Sequence, residues 1–396
     1  MRLAQTMLCP AGEESELPAL LEPRPAVFVV FLSGSPAMSS ASLGPAPARE
    51  PLPYLSRTRD LRRRLARLLK EPPENSRRFN LRALARRIEF QYVGSNFEAQ
   101  WLLYGLNRHY YPRVYRQRLR LKPPALLKIN LRNRFPRCYP TRRLARDGSL
   151  YYGPFPSRAF AERFAAQFLD LFKIRRCVED LHPDPSHPGC IYSQMKMCLA
   201  PCFMGCTDQE YQEELNRVVG FLDAGGRPLL EGLRQERDRA SEALDFEAAQ
   251  RAHRRLEKVQ EVLRFLPEIV GNIMQTQALL VLPGAQARSV TFFRLASGEL
   301  RGPGRLRLDE NAPRPESLDT ILDRTVASLP RACPTHEVPS WEPLALLARW
   351  YYSSYRDGEL LMLPPDGTLP HRRLIRVCRK IVEGRSNLNP SAAGNG

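Results

Sequence analysis

Five of the nine cysteines fall within thirty residues: Cys177, Cys190, Cys198, Cys202 and Cys206. The first four follow the spacing C-x12-C-x7-C-x3-C. Thiolates this close in sequence converge on one soft metal centre, because each loop turns a sulfur inward while closing little chain entropy. The bland alternative is a set of small buried hydrophobes, which is what most free cysteines are. Only four cysteines occupy the other 366 residues, and that concentration favours ligation. Zinc and an iron–sulfur cluster both accept four thiolates, so ligand count leaves the metal open.

A second set of residues suits phosphate. The chain carries 60 Lys and Arg against 42 Asp and Glu, a net charge of +18. A polyanion is the leading partner, because cations that neutralise phosphates release condensed counterions. Between Arg57 and Arg146 there are 25 Lys and Arg against 5 Asp and Glu, so one region carries the whole imbalance. Arg62, Arg63, Arg67, Arg116, Arg118 and Arg120 are the expected nucleic-acid contacts. Tyr110, Tyr111, Tyr115, Phe135 and Tyr139 are the expected stacking platforms for bases. Taken singly, each arginine fits a solvated basic helix equally well.

Membrane attachment would also suit basic charge, but no apolar run approaches the roughly 20 residues of a spanning helix. The chain therefore reads as soluble and cytoplasmic. The run AVFVVFL at 26–32 is short and follows Glu13, Glu14, Glu16 and Glu22, the opposite of a signal peptide's basic n-region. It reads as a buried strand. Without an export signal, the cysteines are not expected to form a disulfide framework.

The elements that must position these residues follow from periodicity. Residues 1–25 and 33–53, rich in Pro, Ser, Ala and Gly, read as loop or flexible chain. Leucines at helical spacing with arginines between them predict a basic amphipathic helix over 61–70. A strand is expected over 88–93 and a helix over 96–107, followed by a Pro- and Arg-rich stretch to 146. A helix over 157–172 leads into the cysteines. Further helices are expected over 209–222 and 228–265, the latter broken near Leu244-Asp245-Phe246 where Asp245 caps a new helix. The apolar residues Leu233, Leu244, Phe246, Ala249, Ala252 and Leu256 exceed what two helices bury alone, which fits either a groove for another helical pair or a plain internal hairpin packed on its own chain. From Ala278, short strands mix with Leu-rich helices.

The run Phe172-Lys173-Ile174-Arg175-Arg176-Cys177, with Gly189-Cys190-Ile191-Tyr192 and Met197-Cys198-Leu199-Ala200-Pro201-Cys202, resembles the cysteine segment of the UvrC family of excinucleases. The preceding Tyr152-Gly153-Pro154-Phe155 resembles it too. The resemblance implies a 4Fe-4S cluster on Cys177, Cys190, Cys198 and Cys202, with zinc as the alternative, and leaves Cys206 outside. Residues 240–249 resemble the family's UVR motif. This implies docking of Leu244, Phe246, Glu247, Ala248 and Ala249 on a like hairpin of the partner helicase UvrB.

The N-terminal third resembles, more faintly, the GIY-YIG nuclease domain. Phe28 stands where the first motif tyrosine belongs and Tyr54 at the second, with Arg57 three and Arg64 ten residues later. In such nucleases a tyrosine and the water it positions attack phosphorus, an arginine stabilises the developing charge, and a glutamate holds one divalent ion. The resemblance implies Tyr54, Arg57 and Arg64 as the remaining catalytic residues. It puts Leu103 at the glutamate position and Tyr115 at a usual asparagine. A leucine offers a hard cation no oxygen, so magnesium binding is not expected. Glu98, five residues before Leu103, lies about 140° around a helix from it and is no simple replacement. The family's ribonuclease-H-like and helix-hairpin-helix units are not recognisable.

The expected fold is α+β: a flexible N-terminus (1–25), a basic GIY-YIG-like α/β domain (26–146), a cysteine segment (147–208), a helical region with a UVR-like hairpin (209–266) and a C-terminal α/β region (267–396). The expected function is a nucleotide-excision-repair factor that binds damaged DNA and a UvrB-like helicase without its own GIY-YIG incision. The rivals are a live excinuclease making a single-strand cut near a lesion, and a zinc-bearing RNA-binding protein.

Overall fold

The computed structural model describes residues 3–9, 16–33, 51–71, 79–145, 147–308, 316–329 and 340–386. The expected loop over 33–53 lies largely outside the described residues. The chain is α+β, as the periodicity predicted.

The N-terminal part comprises β1 (Gln5–Leu8), β2 (Ala26–Leu32), β3 (Tyr54–Thr58), α1 (Leu61–Leu69), β4 (Ala85–Tyr92), α2 (Asn96–Tyr110) and α3 (Tyr115–Arg118). Its four strands form an antiparallel sheet in the order β1-β4-β2-β3. β2 is apolar throughout because both its faces are covered. Ala26, Phe28 and Val30 meet Leu61, Leu65 and Leu68 of α1 on one side, while Val27 and Val29 meet Leu102 and Leu106 of α2 on the other. Residues 1–25 were expected to be flexible, yet Gln5–Leu8 is an edge strand on β4. Its side chains are mostly exposed, so backbone pairing holds it and no apolar pattern announced it.

The middle part comprises β5 (Ala125–Ile129), β6 (Cys138–Thr141), β7 (Leu150–Phe155), α4 (Arg158–Leu169), α5 (Ile191–Gln194), α6 (Asp208–Asp223), α7 (Arg227–Glu242), α8 (Phe246–Arg264) and β8 (Gly271–Asn272). These strands pair in the order β6-β5-β7-β8. The sheet crosses two expected boundaries, since β5 and β6 precede residue 146 and β8 follows residue 266. Pairing between distant strands leaves no local periodic signal, so the shared sheet is not announced by the sequence.

The C-terminal part comprises β9 (Gln277–Pro283), β10 (Ser289–Ala296), β11 (Glu299–Arg307), α9 (Leu318–Ala327), α10 (Trp341–Tyr351), β12 (Glu359–Met362) and α11 (His371–Ser386). Its antiparallel sheet runs β11-β10-β9-β12. One face packs on α9 and α11. The other joins a core shared with the middle part and α2, where Phe97 and Trp101 lie 5.0 and 5.7 Å from the ring of Phe293. Gly94 lets β4 end against this region: a Cβ there would fall 2.1 Å from the Pro283 carbonyl oxygen. No helix among the described residues is long and apolar enough to cross a membrane.

Candidate nucleic-acid interface and thiol centre

The nuclease-like residues divide across the N-terminal sheet. Antiparallel register pairs Tyr54 with Val30 and Arg57 with Val27, so residues 54 and 57 face opposite sides. Tyr54 lies on the α1 side, its ring 6.1 Å from that of Phe28, and the Arg64 guanidinium donates to its hydroxyl at 3.0 Å. Arg57 lies on the α2 side and donates to the Asn96 side chain, with the guanidinia of Arg59 and Arg349 close enough to repel it. Leu103 packs on that same side with Val29 and Leu55. The expected trio is thus corrected to a Tyr54–Arg64 pair, with Arg57 elsewhere, because three residues of separation on a strand reverse the face. Glu98 is fully buried, accepting from the Gly94 backbone N–H at 3.2 Å and pairing with Arg305 at 2.8 Å.

The six expected phosphate contacts also divide. Arg63, Arg67 and Arg120 are exposed with no ion-pair partner among the described residues. Arg62 is exposed but donates to the Leu21 carbonyl. Arg116 donates to Glu342 at 2.6 Å, and Arg118 donates to Asn107 at 2.9 Å while lying 3.8 Å over the Tyr111 ring. These last two remain exposed while also bracing the fold.

The stacking platforms are corrected likewise. Tyr115 and Phe135 are buried, the Tyr115 hydroxyl donating to Glu342 at 2.6 Å and Phe135 packing on Tyr211, and the Tyr111 hydroxyl donates to the Pro53 carbonyl at 2.6 Å. Tyr139 stays half-buried with Arg137 over its ring at 4.3 Å. Sequence reasoning missed Glu342, which also accepts from Tyr104 at 2.7 Å. Burial opposes its charge, but hydrogen bonds from Tyr115, Tyr104 and Arg116 prevail and hold its pKa below the ordinary value. Beyond the local hydroxyl of Ser340, its partners lie more than 200 residues away, which hides the cluster from local pattern.

The thiol segment has no helix longer than the four residues of α5 between α4 and α6. Its turns are tight: Lys196, Ala200 and Met204 all adopt positive φ. The Ala200 N–H donates to the Cys198 sulfur at 3.3 Å. Burial raises the Cys198 thiol to about 11, and the charges of Cys177, Cys190 and Cys202 add to the rise. Among the described residues, no three His, Cys, Asp or Glu side chains are arranged to hold a metal ion. By residue type the donor set suits a soft centre: four sulfurs, of which Cys198 receives a backbone N–H bond of the kind that stabilises a thiolate. Cys206 sits apart from this set in charge environment, with Glu210 and Asp208 as its nearer influences.

The helical hairpin is closed by Asp245, whose side chain accepts from the Ala248 N–H at 2.9 Å. Leu233, Ala252, Leu256 and Val259 fill the buried side. At the tip, Leu244 is 71% and Phe246 70% exposed, with Glu247 exposed and Ala248 and Ala249 half-buried beside them.

Residues 125–221, from β5 into α6, match the family of the UvrC/Cho excinuclease middle domain. The UvrABC system protein C of Methanothermobacter thermautotrophicus is 28% identical over 83% of this chain and 55% of its own length. That of Moorella thermoacetica is 28% identical over 71% of this chain and 46% of its own length, and that of Trichlorobacter lovleyi 31% over 50% and 33%. The chain spans about half the length of the curated relatives it matches first. No solved structure matches it significantly.

Proposed function

From a middle domain related to that of the UvrC/Cho excinucleases, we infer that this protein is a nucleotide-excision-repair factor that binds damaged DNA and makes no GIY-YIG cut of its own. One observation carries the reading. Tyr54 and Arg64 lie on the α1 face of the N-terminal sheet, whereas Arg57 and the leucine at the metal position lie on the α2 face. A metal-assisted displacement needs nucleophile, cation and metal ligand around one phosphorus. Tyr54 and Arg64 can still bind a phosphate, which is recognition without incision.

A UvrB-like helicase is the proposed partner. Support comes from the exposed Leu244 and Phe246, an apolar tip suited to helix-in-groove docking. Cys177, Cys190, Cys198 and Cys202 would hold the proposed iron–sulfur cluster, which when bound supplies a covalent cross-link among four distant turns and a redox-capable centre.

Nicking of a lesion-bearing duplex, with magnesium and the helicase partner present, tests the incision claim. Wild type and Leu103→Glu are both expected to leave the strands intact, the latter because residue 103 faces away from Tyr54. Magnesium-dependent nicking by wild type that Tyr54→Phe abolishes would overturn the reading. It would establish the second one, a live single-strand endonuclease, which the Tyr54–Arg64 hydrogen bond favours.

A further inference from the structure

Among the described residues, α11 has a mainly basic polar face, interrupted near its end by the exposed Glu383 on the same arc. Arg372, Arg376 and Arg379 fall within an arc of about 60°, with Arg373 and Lys380 beside them. The four arginines are exposed and, among the described residues, have no acidic partner, while Lys380 is paired with Glu359. The opposite arc is spent: Leu374, Val377 and Cys378 are buried against Val281, Val290 and Phe292.

A solvated charged face would be the default explanation, and α7–α8 shows what such a face looks like in this protein. There Arg234, Arg237, Arg251 and Arg255 each meet a carboxylate, on Glu231, Asp238, Glu247 and Glu236, while Arg239 and Arg254 have no such partner among the described residues. α11 lacks that matching. Arg372 and Arg376 form a like-charged i,i+4 pair, and Arg372 and Arg373 sit in the first turn, where the helix dipole disfavours cations. The stripe therefore opposes the stability of its own helix. A basic amphipathic helix can lie on an anionic membrane, but only by burying its apolar arc, which here is already in the core.

We propose that Arg372, Arg373, Arg376 and Arg379 form a second DNA-binding surface that tracks the sugar-phosphate backbone of one strand. Rises of about 6 and 4.5 Å along the helix separate the three aligned guanidinium stems, a spacing that flexible arginines adapt to successive phosphates. The surface rests on the DNA-repair reading and extends it from the N-terminal sheet to the C-terminal region. Its contacts are to phosphate, so they set affinity and orientation rather than sequence.

The test is the slope of log affinity against log salt for the full chain on fluorescent single-stranded and duplex DNA. Replacing the four arginines by glutamine (Arg372→Gln, Arg373→Gln, Arg376→Gln, Arg379→Gln) is expected to flatten the slope by about 0.9 for each phosphate no longer neutralised on duplex, or about 0.7 on single strand. The two arms thereby tell which form the stripe holds. The four-lysine variant is expected to keep the wild-type slope, as is an equal loss of charge in α7–α8 (Arg234→Gln, Arg237→Gln, Arg251→Gln, Arg255→Gln). An unchanged slope in the α11 variant overturns the proposal. So does an equal flattening by the α7–α8 variant, since bulk charge alone would then explain it. Failure of the wild type to bind either DNA overturns the repair reading itself, and this proposal with it.

Discussion

The N-terminal sheet and the thiol segment carry the two chemistries legible in the sequence, and they are built in opposite ways. The sheet is complete without a ligand. Both faces of β2 are covered by helices, and even Phe28, at a tyrosine position of the nuclease pattern, is wholly buried as a core residue. The thiol segment is not complete. Among its side chains, Val178, Ile191, Met195 and Met204 are more than half exposed, and its backbone holds three left-handed non-glycine residues within nine positions. A region that packs itself can lose its reactive groups and still fold. A region that leaves apolar residues outside draws less stability from its own packing, and a ligand bound there would add to it.

The sharpest way to break this contrast is Cys198→Ala. Loss of a structural centre ranks among the largest single-residue effects, so a cost of roughly 4 kcal/mol or more is expected, read as rapid proteolysis within 177–206. Anaerobically purified wild type is expected to be brown and to hold iron and sulfide. Stoichiometric zinc with no iron would instead return the segment to the zinc alternative.

Glu342→Gln probes a junction outside both regions, where α10 meets α2 and α3. Removing a buried carboxylate that satisfies two tyrosines and Arg116 is expected to cost about 3 kcal/mol at neutral pH, measured by denaturant melts. The folded pKa of Glu342 is depressed, so its contribution is complete above the ordinary carboxylate value of about 4.3 and disappears as pH falls through the lower folded value. The gap between wild type and variant should therefore shrink in acid. A constant gap would show that packing, not charge, is what Glu342 supplies.

Tyr54→Phe sharpens the contrast from the other side. It deletes only the hydrogen bond to Arg64, so a loss of about 1 kcal/mol is expected, with the sheet intact. A collapse comparable to Cys198→Ala would mean that the sheet also depends on its functional groups. The smallest stability effect belongs to the hairpin tip. Leu244→Ser with Phe246→Ser should change stability by within about 0.5 kcal/mol, because both side chains are exposed, yet abolish capture of the helicase partner in a pull-down.

Much of the fold was legible because local pattern suffices where one face of an element is buried. The helix at 61–69, the strand at 26–32, the break at Asp245 and the strands after 277 all stand where periodicity and capping place them. The cysteine spacing is local too: it sets four thiols within 26 residues of one another. Side-chain type along a strand or helix is a local quantity, and it determines which elements form and which residues have the chemistry to act. Which residues meet is not local. Only the tertiary structure separated Arg57 from Arg64, turned Tyr115 inward and paired the exposed Arg116 with Glu342, joined β5 to β7 and β8 across two expected boundaries, and left the arginines of α11 without acidic partners among the described residues. In each case the deciding partner lies on another element, brought there by burial of apolar surface, which is indifferent to distance along the chain.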